Sequence, residues 1–308
     1  MDLKVKIENS AQAVIFYELI PPKQGDTAEL EQNLSFIRTL EGMADAINIP
    51  EIREEIRKGA RRSRLPERIE PRAFAKAIRT AGMETVINRV TVHEAASEQA
   101  RWLTETYNQY GVRNLILVGG ESRSIVYPGL SVPEAAARAR TENLEFLLGG
   151  ITIPSRSQEA ARIRQKYTQG LRFFTTQVLF DSNDIVDLIQ GLNGLDVRIF
   201  LSFAPISDAR DVEFLQWLGV DVPKNVSWAI AQVGEPDKAV DKTIAQASKI
   251  LTDVFDHLPP HPPGLGINVE QITRRNHEPS KRMLDKLGGF YRHLLQARYS
   301  YSGSTGVV

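Results

Sequence analysis

The sequence predicts an α/β fold, a single (β/α)8 or TIM barrel, and three observations carry that prediction. Short apolar runs alternate with amphipathic stretches eight times along 308 residues, which is the count and length that a closed ring of parallel strands needs. No glycine fingerprint follows the first apolar run, where Pro21-Pro22 stands instead; this counts against a doubly wound sheet. No internal repeat interrupts the alternation. Residues 1–308 therefore read as one barrel domain, with a closing helix at about 280–298 and a loose tail, Tyr299–Val308.

The expected strands are Val14–Glu18, Ala46–Ile49, Thr85–Val90, Leu115–Val118, Phe146–Ile151, Phe173–Leu179, Arg198–Phe203 and Gly266–Val269. Each is short and apolar, as strands covered on both faces must be. The expected helices are Leu30–Leu40, Arg72–Ala81, Glu98–Tyr110, Val132–Arg140, Gln158–Thr168, Asn183–Leu192, Ala209–Leu218 and Lys238–His257. Ser157 and Ser182 are candidate N-caps, and Gly111 and Gly170 fall where helices end. Leu258–Gly264 is a proline-rich joint before the last strand.

Composition removes several classes of function. Lys plus Arg and Asp plus Glu both number 38, so the basic excess of a general nucleic-acid binder is absent. There is no cysteine, which excludes disulfides, zinc thiolates and a thiol nucleophile. Met1–Ser10 lacks the apolar core of a signal peptide, and no apolar run is long enough to span a bilayer. A cytoplasmic protein without membrane or nucleic-acid partners is expected, and a homo-oligomer is compatible with this composition. The five histidines form no His-Glu-x-x-His pattern, so no metal site is expected.

In such a barrel, chemistry sits at the C-terminal ends of the strands. Those positions hold Glu18, Asn48 with Glu51, Glu54 and Glu55 beyond it, Arg89 and Thr91, Glu121, Arg156, Gln177, and Asn268 with Glu270. Glu18 is the sharpest of them. It closes the run Val14-Ile15-Phe16-Tyr17 and is followed by Pro21-Pro22, and a carboxylate there is costly unless it is paired or used. Carboxylates sharing one pocket raise each other's pKa, so one can stay protonated near neutral pH and act as a general acid. Amides beside it suit a heterocycle with several N–H groups, such as a pterin. Gly119-Gly120 is a weak candidate for a phosphate cradle. The basic run Arg53, Arg57, Lys58, Arg61, Arg62 and Arg64 is interleaved with glutamates and reads as a solvated face.

Several of these stretches resemble a known family. Phe16-Tyr17-Glu18-Leu19-Ile20-Pro21-Pro22-Lys23 resembles the opening motif of methylenetetrahydrofolate reductases, Phe-Glu-Phe-Phe-Pro-Pro-Lys. Asp45–Ile49, Gly111–Glu121, Phe174–Asp181 and Pro205-Ile206-Ser207 resemble later motifs of that family in the same order. The resemblance implies that Glu18 is the acid that opens the folate imidazolidine ring. It also implies that Glu121 and Gln177 hold the pterin.

The departures cluster on the flavin contacts. The family's Thr, His and Ala-Tyr-Pro-Glu positions hold Pro50, Arg89 and Thr152-Ile153-Pro154-Ser155, the helix after the fifth strand is shorter, and Ala209 replaces an aromatic. These changes argue against the family's way of binding FAD. A divergent branch described in mycobacteria, which dispenses with flavin, is more similar in Ile49-Pro50 with Glu54-Glu55, in Ile153–Arg156 and in Thr176–Leu179. The resemblance thus implies reduction of 5,10-methylenetetrahydrofolate to 5-methyltetrahydrofolate with NADH or NADPH as hydride donor. Glu18, with Glu54 or Glu55, would be catalytic. Gln177, Glu121, Asn48 and Glu270 would bind substrate, and Thr91, Gly119, Gly120 and Arg156 would face the cofactor. The alternatives are an FAD-dependent reductase, a deazaflavin-dependent tetrahydropterin reductase, and a non-catalytic folate-binding partner subunit.

Overall fold

The computed structural model describes residues 2–53, 66–120 and 125–302. Eight strands close into a barrel: β1 (Ile15–Glu18), β2 (Ala46–Ile49), β3 (Glu84–Val90), β4 (Asn114–Val118), β5 (Leu147–Thr152), β6 (Leu171–Val178), β7 (Arg198–Phe203) and β8 (Gly264–Glu270). Every neighbouring pair is parallel, and β8 returns to β1. The (β/α)8 barrel expected from the alternation is the observed fold.

The helices are α1 (Leu3–Glu8), α2 (Thr27–Arg38), α3 (Pro71–Thr80), α4 (Ala96–Asn108), α5 (Val132–Thr141), α6 (Glu159–Thr168), α7 (Asn183–Gly191), α8 (Ala209–Trp217), α9 (Lys224–Ala231), α10 (Pro236–Asp256) and α11 (His277–Ser302). Local chemistry starts several of them. Ser131 and Glu134 form a reciprocal capping box on α5, and the Glu70 side chain caps α3 with Pro71 at its first turn. Along α10 the buried residues Val240, Ile244, Ala247, Leu251 and Val254 recur at helical spacing, so one face packs inward.

Four expectations need correction. Gln158, in a left-handed conformation (φ 59°), precedes α6 where Ser157 was expected to cap it. Ser182 does precede α7, but its hydroxyl donates to Asp253 (2.8 Å) instead of capping. The closing helix runs to Ser302, four residues into the expected tail. Arg53 is not a solvated cation: it is half-buried between Glu51 and Glu94. Two helices, α1 and α9, were not expected. Gly111 and Gly170 do take the left-handed φ (64° and 98°) that ends a helix most cheaply on glycine.

The barrel interior is packed at its lower end. Phe16, Phe173 and Phe200 meet there with Val14, Ala46, Val86, Ile116 and Leu147. Phe16 stacks on Phe200 with ring centroids 3.9 Å apart, and Phe173 meets both edge-on. Glycines make the room: a Cβ on Gly149 would lie 2.4 Å from Phe173, and one on Gly266 would lie 2.5 Å from Phe200. From below, α1 inserts Leu3 and Ile7 into the same cluster. Arg198, fully buried, locks this plug by donating to the carbonyls of Lys6, Ile7, Asn9, Gln12 and Leu265. The carbonyls of residues 6, 7 and 9 belong to the end of α1, where a cation complements the helix dipole.

Candidate active site

Alternation decides which side chains enter the barrel. Phe16 belongs to the interior cluster, so Glu18, two residues on, also points inward. Tyr17 faces the helices, where its hydroxyl meets Ser280 of α11 at 2.7 Å. The same phase brings Asn48 inward after Ala46, Asn88 after Val86, Ser202 after Phe200, and Asn268 and Glu270 after Gly266. A polar arc from β7 through β8, β1 and β2 to β3 therefore lies above the phenylalanine floor. Val118 and Ile151 continue the ring on the apolar side.

Glu18 and Glu270 are direct partners in the β1–β8 register. Asn48 donates from Nδ2 to Glu18 Oε2 at 3.2 Å. Asn268 donates from Nδ2 to Glu270 Oε1 at 3.3 Å and to Ser202 Oγ at 3.1 Å. Both carboxylate residues keep part of their surface open at the mouth, yet the carboxyl groups lie deep among protein atoms. Burial holds the Glu18 carboxyl well above the usual carboxylate range, and the negative charge of Glu270 adds to this. Burial also pushes Glu270 up to about 7, against the pull of hydrogen bonds from Ser202 and Asn268. Two poorly hydrated carboxyls on neighbouring strands, each within reach of the other's charge, hold a proton between them at neutral pH. Such a pair can protonate a leaving amine and face a developing cation with the remaining negative charge.

The other sequence candidates divide into three groups. Glu54, Glu55 and Glu121 lie outside the described residues, as do Arg57, Lys58, Arg61, Arg62 and Arg64. Gln177 sits at the irregular top of β6, partly exposed and without a hydrogen-bond partner among the described residues. The third group turns away from the polar arc. Arg89 is buried on the outer face of β3, where it bonds Gln99, Glu51 and Glu94 and stacks over Trp102. Glu51 is spent on Arg89, Arg53 and the Val90 amide.

The Thr91 hydroxyl donates to the Leu130 carbonyl at 2.7 Å. Arg156 is exposed at the turn before α6, 4.0 Å from Glu159. Gly119 and Gly120 border the mouth, and the Cβ direction at Gly120 is filled by the Tyr127 ring, 2.2 Å away. Among the described residues, no group of three or more His, Asp or Glu side chains is placed to hold a metal. No helix there is long and apolar enough to cross a membrane.

No protein-family model and no curated protein matches this sequence. Among solved structures, an uncharacterised protein from Clostridium thermocellum superposes with a TM-score of 0.73 at 20% identity, over 93% of this chain and 99% of that one. That protein binds two copies of 5-methyl-5,6,7,8-tetrahydrofolic acid. A 2,3-dimethylmalate lyase of the PEP mutase/isocitrate lyase superfamily superposes at 0.52 with 12% identity, over 91% and 83% of the two chains. At these identities the likeness is one of fold.

Proposed function

We propose that the barrel mouth binds a reduced folate and that the protein reduces 5,10-methylenetetrahydrofolate to 5-methyltetrahydrofolate. The observation that carries this reading is the carboxyl pair Glu18 and Glu270, packed into an arc of amides above an apolar floor. The ligand of the Clostridium thermocellum protein, 5-methyltetrahydrofolate, is the product of this reaction, and the motifs around Glu18 and Gln177 support the same substrate class.

Opening the imidazolidine ring breaks the bond between the methylene carbon and N10, and the departing nitrogen needs a proton. Glu18, protonated at neutral pH, donates it. The N5 lone pair completes an exocyclic iminium, whose positive charge faces Glu270. A hydride from NADH or NADPH, bound as second substrate, then reaches the methylene carbon. Glu18 recovers its proton from solvent, so one proton and one hydride are consumed per methyl group formed. The amides of Asn48 and Gln177 orient the pterin so that donor and acceptor stand face to face.

The test is to mix the purified protein with NADH and 5,10-methylenetetrahydrofolate and to follow loss of the reduced nicotinamide. Folate-dependent oxidation by a colourless protein supports direct transfer; a yellow protein bleached by NADH alone assigns the hydride to a flavin instead. Glu18→Gln should lower turnover by roughly 10²–10⁴-fold while 5-methyltetrahydrofolate still binds. Tight folate binding with no nicotinamide oxidation in the wild type would refute the reductase reading in favour of a binding subunit.

A further inference from the structure

Three side-chain carbonyl oxygens of the polar arc are buried with no donor among the described residues: Oδ1 of Asn48, Asn88 and Asn268. They come from β2, β3 and β8. Buried acceptors are normally paired, and each one left open costs free energy that a bound donor would recover. The Nδ2 groups of Asn48 and Asn268 lie on the sides of Glu18 and Glu270, each donating to a carboxyl group, which keeps an acceptor oxygen whether or not it carries a proton. Their carbonyl oxygens are then turned away from the carboxyl pair.

We propose that these three carbonyls form a specificity-determining face that selects a ligand presenting several N–H donors along one edge, and that Asn88 reads one of those donors. This rests on the folate reading of the same site. A tetrahydropterin carries ring N–H groups and an exocyclic amine, so it can satisfy such a face. An aromatic ring lacking those donors would leave the acceptors unpaired, which is how a polar site rejects an analogue of similar size. Asn88 is the informative member. It has no hydrogen-bond partner among the described residues and no bond to Glu18 or Glu270. Changes at Asn48 or Asn268 would also disturb the carboxyl pair.

The experiment is a calorimetric titration of the full chain with 5-methyltetrahydrofolate and two analogues. One analogue lacks the exocyclic amino group, and the other carries a methylene in place of the N8–H. Asn88→Ala should weaken binding of the parent ligand by about 10- to 100-fold and leave the affinity for one of the two analogues unchanged. That unchanged affinity also shows that the variant is folded. Should the alanine variant not fold, Asn88→Leu keeps the volume and removes the acceptor, and gives the same comparison. Equal losses against all three ligands, or no loss against any, overturn the assignment of Asn88. A wild-type protein that binds none of the three overturns the folate reading and this proposal with it.

Discussion

Replacing Glu270 by glutamine removes one charge from the buried pair and keeps its shape. Gln can still accept from Asn268, so the change isolates the electrostatics. The usual glutamate value is 4.5, and burial pushes Glu270 to about 7 in the folded protein. Between these values the folded chain keeps a proton that the unfolded chain has released, so stability falls as pH rises through the window. The gap corresponds to about 3 kcal/mol at most. The expected result is that Glu270→Gln matches the wild type at about pH 3.5, where both states are protonated, and exceeds it at about pH 8.5. In thermal unfolding the gain should be roughly 3–8 °C. Activity should move the other way.

Strand neighbours stand roughly 5 Å apart, where two unit charges at an effective dielectric near 20 interact by about 3 kcal/mol. Burial, the larger cause at Glu18, remains in the variant. The alkaline limb of turnover should therefore move to lower pH and stay above the normal glutamate range. A melting difference between wild type and variant that is the same at both pH values would refute the reasoning. So would a variant less stable than the wild type at the higher pH.

Two further outcomes follow from the lower barrel. Arg198→Leu should cost about 3–5 kcal/mol in urea unfolding, because it leaves the carbonyls at the end of α1 buried without a donor; a cost below about 1 kcal/mol would mean that α1 is held by other contacts. Gly266→Ala should cost about 1–3 kcal/mol in thermal unfolding, since the new methyl group meets the Phe200 ring at 2.5 Å and Phe200 cannot retreat from its stack on Phe16. A melting point equal to the wild type would show that the ring has space to turn.

The sequence reveals most of the barrel because strands covered on both faces leave compact apolar runs, and the helices between them carry their own caps and stripes. It hides α1 for a physical reason. That helix spans Leu3–Glu8, too short to stand on propensity alone. Leu3 and Ile7 find their partners on distant strands, and the arginine that finishes the helix lies on β7. Helix α9 is similar in part: its apolar residues Val226 and Ile230 join a cluster that holds Val212 and Leu215 of α8 but also Val178, Phe180 and Ile206 over the distant strand ends.

The candidate site shows where strand ends can be misread. Glu18 was legible because a carboxylate stands out in an apolar run. In β3 the interior residue Val86 and the outward Ile87 are both apolar, so the run conceals which face is which. Reading the end of this strand as Arg89 and Thr91 selected the two residues on the outer face. The register settles the phase: Asn48 pairs with Val86, and Asn88 with Ile116, so residues known to be inside fix Asn88 inside as well. Ser202 was missed for the same reason, lying between Leu201 and Phe203 in a strand buried throughout. The polar arc is thus a property of the closed barrel more than of any one strand. Its donors and acceptors are two residues beyond interior positions on five strands, and only closure brings them above one floor.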